Sequence, residues 1–262
     1  MSTALLADRD IRPGPPPVEV LRYWRAKGLK VGFNYRDVWR EEHDFAFTAA
    51  KVMRHDVLGA MQEELDRSFD EGVPFAKFTK NVEPRMRELG WWDTQEVTDP
   101  QTGKVVEVHP PSRLATIYET NMRSARAVGQ YDRIQRQKDS RPFLLYQVGP
   151  SARHREQHLA WHGLLLPVED DFWTYAFPPN GWGCKCHVRT VGEREYVTLV
   201  RDGVLGPTPQ PVLDDEGRPT GHVLNQRVAV VTKAPSVPLV LQGIDPGFDK
   251  KPGEGRRAAL VK

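Results

Sequence analysis

The sequence predicts an α+β fold, in which N-terminal long helices pack with a small mixed α/β module carrying a C-x-C motif, followed by an extended C-terminal tail. Three observations predict it. Apolar residues recur at three- and four-residue steps through two long stretches before residue 137. The run Trp92 to His109 joins β-compatible segments across Asp99-Pro100 and Gly103. Residues 142–191 read as strand, turn, short helix, aromatic loop and strand.

Taken in order, residues 1–17 form an extended arm, because Pro13, Pro15, Pro16 and Pro17 lack the N–H that a helix or sheet interior uses. Residues 18–109 form a helical region with a hairpin. Its first helix runs from Val18 to Lys27 and stops at Gly28. Asp37 then caps a long helix to about Asp70, closed by Gly72 and striped by Phe45, Ala49, Val52, Leu58, Met61, Leu65 and Phe69. A further helix spans Phe75 to Leu89, ahead of the hairpin. Residues 110–204 form a core module. It opens on Pro110-Pro111-Ser112 and a helix whose stripe runs from Leu114 and Ile117 to Val128 and Tyr131. Asn121 sits beside that stripe, where its amide is expected to hydrogen-bond a neighbouring loop. A last helix spans Glu193 to Asp202. The tail, 205–262, holds eight prolines and is expected to extend away from the core.

Composition narrows the function classes. With 37 basic and 35 acidic residues, the net charge of +2 builds no long-range attraction to nucleic acid. Any DNA contact is local, and Arg136, Lys138, Arg141, Tyr146, Arg153 and Arg155 are its candidates or simply a solvated face. No run of apolar residues reaches the length of a membrane span, so no membrane anchor is expected. Glycine loops of the P-loop or dinucleotide kind and a G-x-S-x-G turn are absent from the sequence.

The residues able to carry chemistry gather between 154 and 187. Cys184 and Cys186 are the only cysteines, and one intervening residue makes a mutual disulfide strained. On a strand both sulfurs would share a face. His154, His158 and His162 recur every four residues, as on one helix face, and His187 follows the second cysteine. A structural zinc site takes four thiolate or imidazole ligands, and His158, Cys184, Cys186 and His187 supply that number. An exposed helix face for the histidines and a small buried pair for the cysteines is the equally open alternative. His154-Arg-Glu-Gln-His158 imitates a zinc-protease helix, but Glu156 is two positions from the first histidine rather than one. A zinc hydrolase, deaminase-like or nuclease-like, using His154, Glu156, Cys184 and Cys186 is the enzymatic alternative, although its cysteine pair is spaced C-x-C rather than C-x-x-C.

The ordered set Arg113-Leu114, Ile117 and Asn121, then Arg155, His158 and Gly163, then Pro178-Pro179-Asn180-Gly181-Trp182-Gly183-Cys184-Lys185-Cys186 resembles the Mu F-like family of phage head morphogenesis proteins. Gly90-Trp91-Trp92 and Leu166-Pro167 with Asp170-Asp171-Phe172-Trp173 fit the same pattern, which covers roughly residues 15–195. Lys185 stands where the family commonly has arginine. The resemblance implies a structural minor head protein rather than an enzyme. It also implies portal protein and major capsid or scaffold protein as partners, non-specific contact with packaged DNA, and a place in the virion interior after assembly in the host cytoplasm.

Overall fold

The computed structural model describes residues 17–34, 37–38, 40–151, 154–205, 211–213, 219–223, 227–228 and 243–259. The mixed α and β architecture expected from the sequence is present. In chain order, α1 (Val18–Arg25), β1 (Gly28–Leu29), a 3-10 turn (Arg40–Asp44), β2 (Ala46–Phe47), α2 (His55–Glu71) and α3 (Phe75–Glu88) lead to a hairpin of β3 (Gln95–Thr98) and β4 (Val105–Val108). The long α4 (Pro110–Gln137) follows, then β5 (Phe143–Gln147), α5 (Glu156–Trp161), β6 (Leu165–Pro167), α6 (Phe172–Ala176), β7 (His187–Val191) and α7 (Glu193–Asp202). Beyond them β8 (Val204–Leu205) pairs with β11 (Arg227–Val228), β9 (Pro211–Leu213) pairs with β10 (Pro219–Val223), and α8 (Glu254–Ala259) comes last.

Two apolar cores are strung along α4. The first is built where Trp24 of α1, Met61, Leu65 and Phe69 of α2, and Phe78 and Met86 of α3 close on Leu114, Ile117 and Met122 of α4. Trp24 meets the rings of Phe47 and Phe69 at 5.4 and 5.1 Å. One helical turn further along α4, Ala127, Tyr131 and Ile134 face the second core, with Tyr146, Trp161, Trp173 and Phe177. Its sheet has the order β6-β5-β7, all antiparallel, and Gln147 of β5 is opposite His187 of β7. Gln130 of α4 donates to the Val188 carbonyl at 2.8 Å, which ties the helix to β7.

Two expectations are corrected. The helix expected from Asp37 to Asp70 begins only at His55, and the chain before it makes the 3-10 turn Arg40–Asp44 and then runs extended through β2. Phe45 is exposed and Phe47 buried, the two-residue alternation of a strand, and Gly28 and Lys30 donate to the Phe45 and Phe47 carbonyls. The Asp37 carboxylate closes a turn behind itself, accepting from the Phe33 and Asn34 amides, instead of capping a helix ahead. Lys51, at φ 64°, would break any helix through this segment.

The tail is the second correction. Residues 243–259 return to the core because their charges find partners there. Asp245 pairs with Arg155 at 2.7 Å, Lys250 with Asp44 at 2.9 Å and Arg257 with Asp132 at 2.9 Å. The arm 1–16 and most of 206–242 lie outside the described residues. Among the described residues no helix is long and apolar enough to cross a membrane.

Candidate metal centre

The antiparallel pairing of β5 and β7 brings the chain after Gln147 alongside the chain before His187, so Val148-Gly149 lies against the C-x-C loop. A side chain at position 149 has no room: its Cβ would fall 2.0 Å from the Lys185 carbonyl oxygen, so only glycine allows the approach. From the α4 side, Arg123 donates to the Cys184 carbonyl at 3.1 Å. The α5 helix places His158 opposite. Its Nδ1 is 3.5 Å from the Cys186 sulfur and 3.9 Å from the Cys184 sulfur. Gly163, a residue of the sequence motif, makes the turn into β6 at φ 82° and donates to the Tyr146 carbonyl at 3.0 Å.

His158 uses its two nitrogens differently. Nε2 lies 2.7 Å from the Gly243 carbonyl, which can only accept, so Nε2 carries the proton and Nδ1 presents a lone pair to the sulfurs. Trp161 stacks on the imidazole at 5.3 Å. Below the cysteines Tyr146 is fully buried and its hydroxyl accepts from Asn180 Nδ2 at 2.9 Å. The two thiols titrate as a pair. A hydrogen bond from Cys186 pulls the Cys184 thiol down, whereas the same contact and burial push Cys186 up.

This donor set fits a thiophilic divalent metal. The ligand atoms of His158, Cys184 and Cys186 lie within 4.8 Å of one another, two sulfurs and one nitrogen being a zinc-like set. The Gly243 carbonyl supplies the outer hydrogen bond that metal-bound histidines characteristically make. His187 does not join them. It immediately follows Cys186, and alternation along β7 turns it out to solvent. Nor do the three spaced histidines share a helix face. His154 precedes α5 and bonds the Gly149 carbonyl at 3.0 Å, while His162 ends the helix and accepts from the Val148 amide through Nδ1 at 3.1 Å. Glu156 is exposed and outside the cluster.

The remaining motif residues divide between two tasks. Arg155 clamps the loop to the returning tail, bonding the Trp182 carbonyl at 3.2 Å and Asp245 at 2.7 Å, and Asp245 also accepts from the Trp182 amide at 2.7 Å. Pro178 is buried beside the second core. Arg113, Asn121, Pro179 and Trp182 instead line a cavity against α4. Asn121 does not reach a neighbouring loop as expected. Its amide donates to the Ile117 carbonyl of its own helix at 2.7 Å, the cheapest partner for a side chain pointing along α4. The residues suggested for phosphate contact are engaged elsewhere: Arg136 with Glu19, Lys138 with Glu169, Arg141 with Thr190 and Glu195, and Tyr146 in the core. Arg153 lies outside the described residues.

Sequence reasoning missed Gly149, Arg123, Gly243 and Asp245. Gly149 carried a signal, a glycine two residues past the end of a strand. Gly243 and Asp245 carried none, being 85 and 90 residues from their partners.

Comparison with known proteins follows the same segment. A family model described as Phage Mu protein F like protein matches residues 60–189. The chain is 38% identical over 177 residues to protein F of Escherichia phage Mu, whose name assigns it to capsid assembly, covering 67% of this chain and 40% of that protein. It is 30% identical over 165 residues to the Mu-like prophage FluMu F protein of Haemophilus influenzae, covering 63% of this chain and 39% of that one. The chain thus spans about two fifths of the length of these relatives. No solved structure matches it.

Proposed function

The chain belongs, through residues 60–189, to the Phage Mu protein F like family, and from that membership we propose that it is a structural protein of phage head assembly. The observation that carries the reading is the 38% identity over 177 residues to a protein named for capsid assembly. The matched segment holds most of both cores, all of α4 and the Cys–His cluster. In this reading the protein joins the head in few copies, meets the portal and the shell or scaffold proteins, and lies in the interior near packaged DNA. Its work is to present a folded surface, and the cluster is a staple. A zinc ion held by His158, Cys184 and Cys186, three of the four ligands a structural zinc takes, would tie α5, the C-x-C loop and, through Gly243, the returning tail into one unit.

A hydrolase would need a base beside the metal, and the one carboxylate suggested for it, Glu156, faces solvent on α5. Three protein ligands leave a position open, as catalytic zinc does, but no carboxylate joins the cluster among the described residues.

Heads purified from cells producing this chain together with the head proteins of the same genome test the proposal by quantitative mass spectrometry. The chain is expected at far fewer copies than the shell protein. Its recovery only outside particles would contradict the reading.

A further inference from the structure

A cavity of about 360 Å³ lies between α1, α4 and the returning segment 246–253, and none of His158, Cys184 and Cys186 lines it. That volume is in the range of small-molecule sites. Its charge is unbalanced. Lys27, Arg113 and Lys250 line it, against one carboxylate, Asp44. Asp44 is already committed, to the Tyr23 hydroxyl at 3.0 Å, the Gly255 amide at 2.9 Å and the Lys250 ammonium at 2.9 Å.

Of the other two cations, Lys27 rests on neutral partners, the His43 carbonyl and the Tyr23 ring, and Arg113 has no ion pair among the described residues. Arg113 has its Nη1 buried with no hydrogen-bond partner among the described residues, and burial pulls its guanidinium down. Lys27 is pressed down to about 7 by burial of its ammonium, because the charges of Lys250 and Arg256 offset the attraction of Asp44. The Thr48 hydroxyl is also buried without a partner. The α4 wall adds hydroxyls from Thr116, Thr120 and Ser124, and Phe177 and Phe248 supply apolar surface. Burying a cation without a counter-ion is costly, and the cost is recovered if an anion occupies the site.

We infer that this cavity binds a small organic anion, an oxyanion on an apolar body. Arg113 receives the oxyanion through its planar fork, Lys27 adds a second positive charge, and Phe177 and Phe248 enclose the body. The assignment is independent of the role in head assembly. Carboxylates and phosphate esters share the required chemistry, and probes of each class separate them.

Isothermal titration calorimetry of the full chain at low ionic strength, with phenyl phosphate and separately with benzoate, tests the site. At least one probe is expected to bind saturably at a single site, and the tighter one identifies the class. Arg113→Gln is expected to weaken that binding tenfold or more, and Arg113→Lys to weaken it less. Lys80→Gln, on the exposed side of α3, should leave it unchanged. Unliganded Arg113→Gln should unfold no earlier than the parent, because it loses an unpaired buried cation and no bond. Failure of both probes to bind, equal weakening by Lys80→Gln, or a marked loss of stability in Arg113→Gln would overturn the assignment.

Discussion

At His158 one imidazole joins three parts of the chain: Nδ1 faces Cys184 and Cys186, and Nε2–H holds the Gly243 carbonyl. The nearby His162 shows how differently a buried imidazole can behave. Burial, with the charges of His187 and His154, pulls its pKa below the ordinary 6.5. As pH falls, the unfolded chain therefore takes up this proton before the folded chain does. The stability that neutral His162 contributes is complete above pH 6.5 and is lost progressively below it. His162→Gln, which keeps an acceptor for the Val148 amide, should flatten thermal midpoints measured from pH 7 to pH 5 relative to the parent. Gly149→Ala should be destabilised by roughly 1–3 kcal/mol in urea unfolding, since the added carbon meets a backbone oxygen that the β5–β7 register holds in place. Both cysteines and His158 were legible in the sequence because sulfur and imidazole donors crowd a short stretch. His187 misled because, as the first residue of β7, it turns out to solvent, whereas Cys186 ends the loop before the strand.

Among the elements, those with an unbroken period were legible. α1, α3, α4, α7 and the β3–β4 hairpin lie where apolar spacing and turn residues placed them. The start of α2 was not, since Phe45, Ala49 and Val52 happen to fall on helical steps while the chain there is extended. Trp24, wedged between Phe47 and Phe69, reports on how α1 closes that core. Trp24→Ala should cost about 3–5 kcal/mol in denaturant unfolding. The returning tail was illegible because proline content says that a segment is extended, not what it lies against. Asp245→Asn removes the charge that holds Arg155 and weakens the acceptor for the Trp182 amide. Hydrogen exchange at that amide should speed up by about tenfold, with the exchange of α2 unchanged.

The molecule as a whole is two cores sharing α4 and a third small one between the β6-β5-β7 sheet and α7, with the Cys–His cluster beside the second and the returning tail bonded to residues of both larger ones. Metal would bear on this arrangement by joining α5, the C-x-C loop and the tail. Plasma mass spectrometry of the purified chain should find about one zinc per molecule, and Cys184→Ser with Cys186→Ser should abolish it. The claim that this is a head protein held together by that cluster is tested most directly by counting copies of the parent and of the double serine variant in purified heads. The account predicts a few copies of the zinc-bearing parent per head and a sharp loss of the variant. A parent chain absent from heads, or a metal-free variant incorporated as well as the parent, would contradict it.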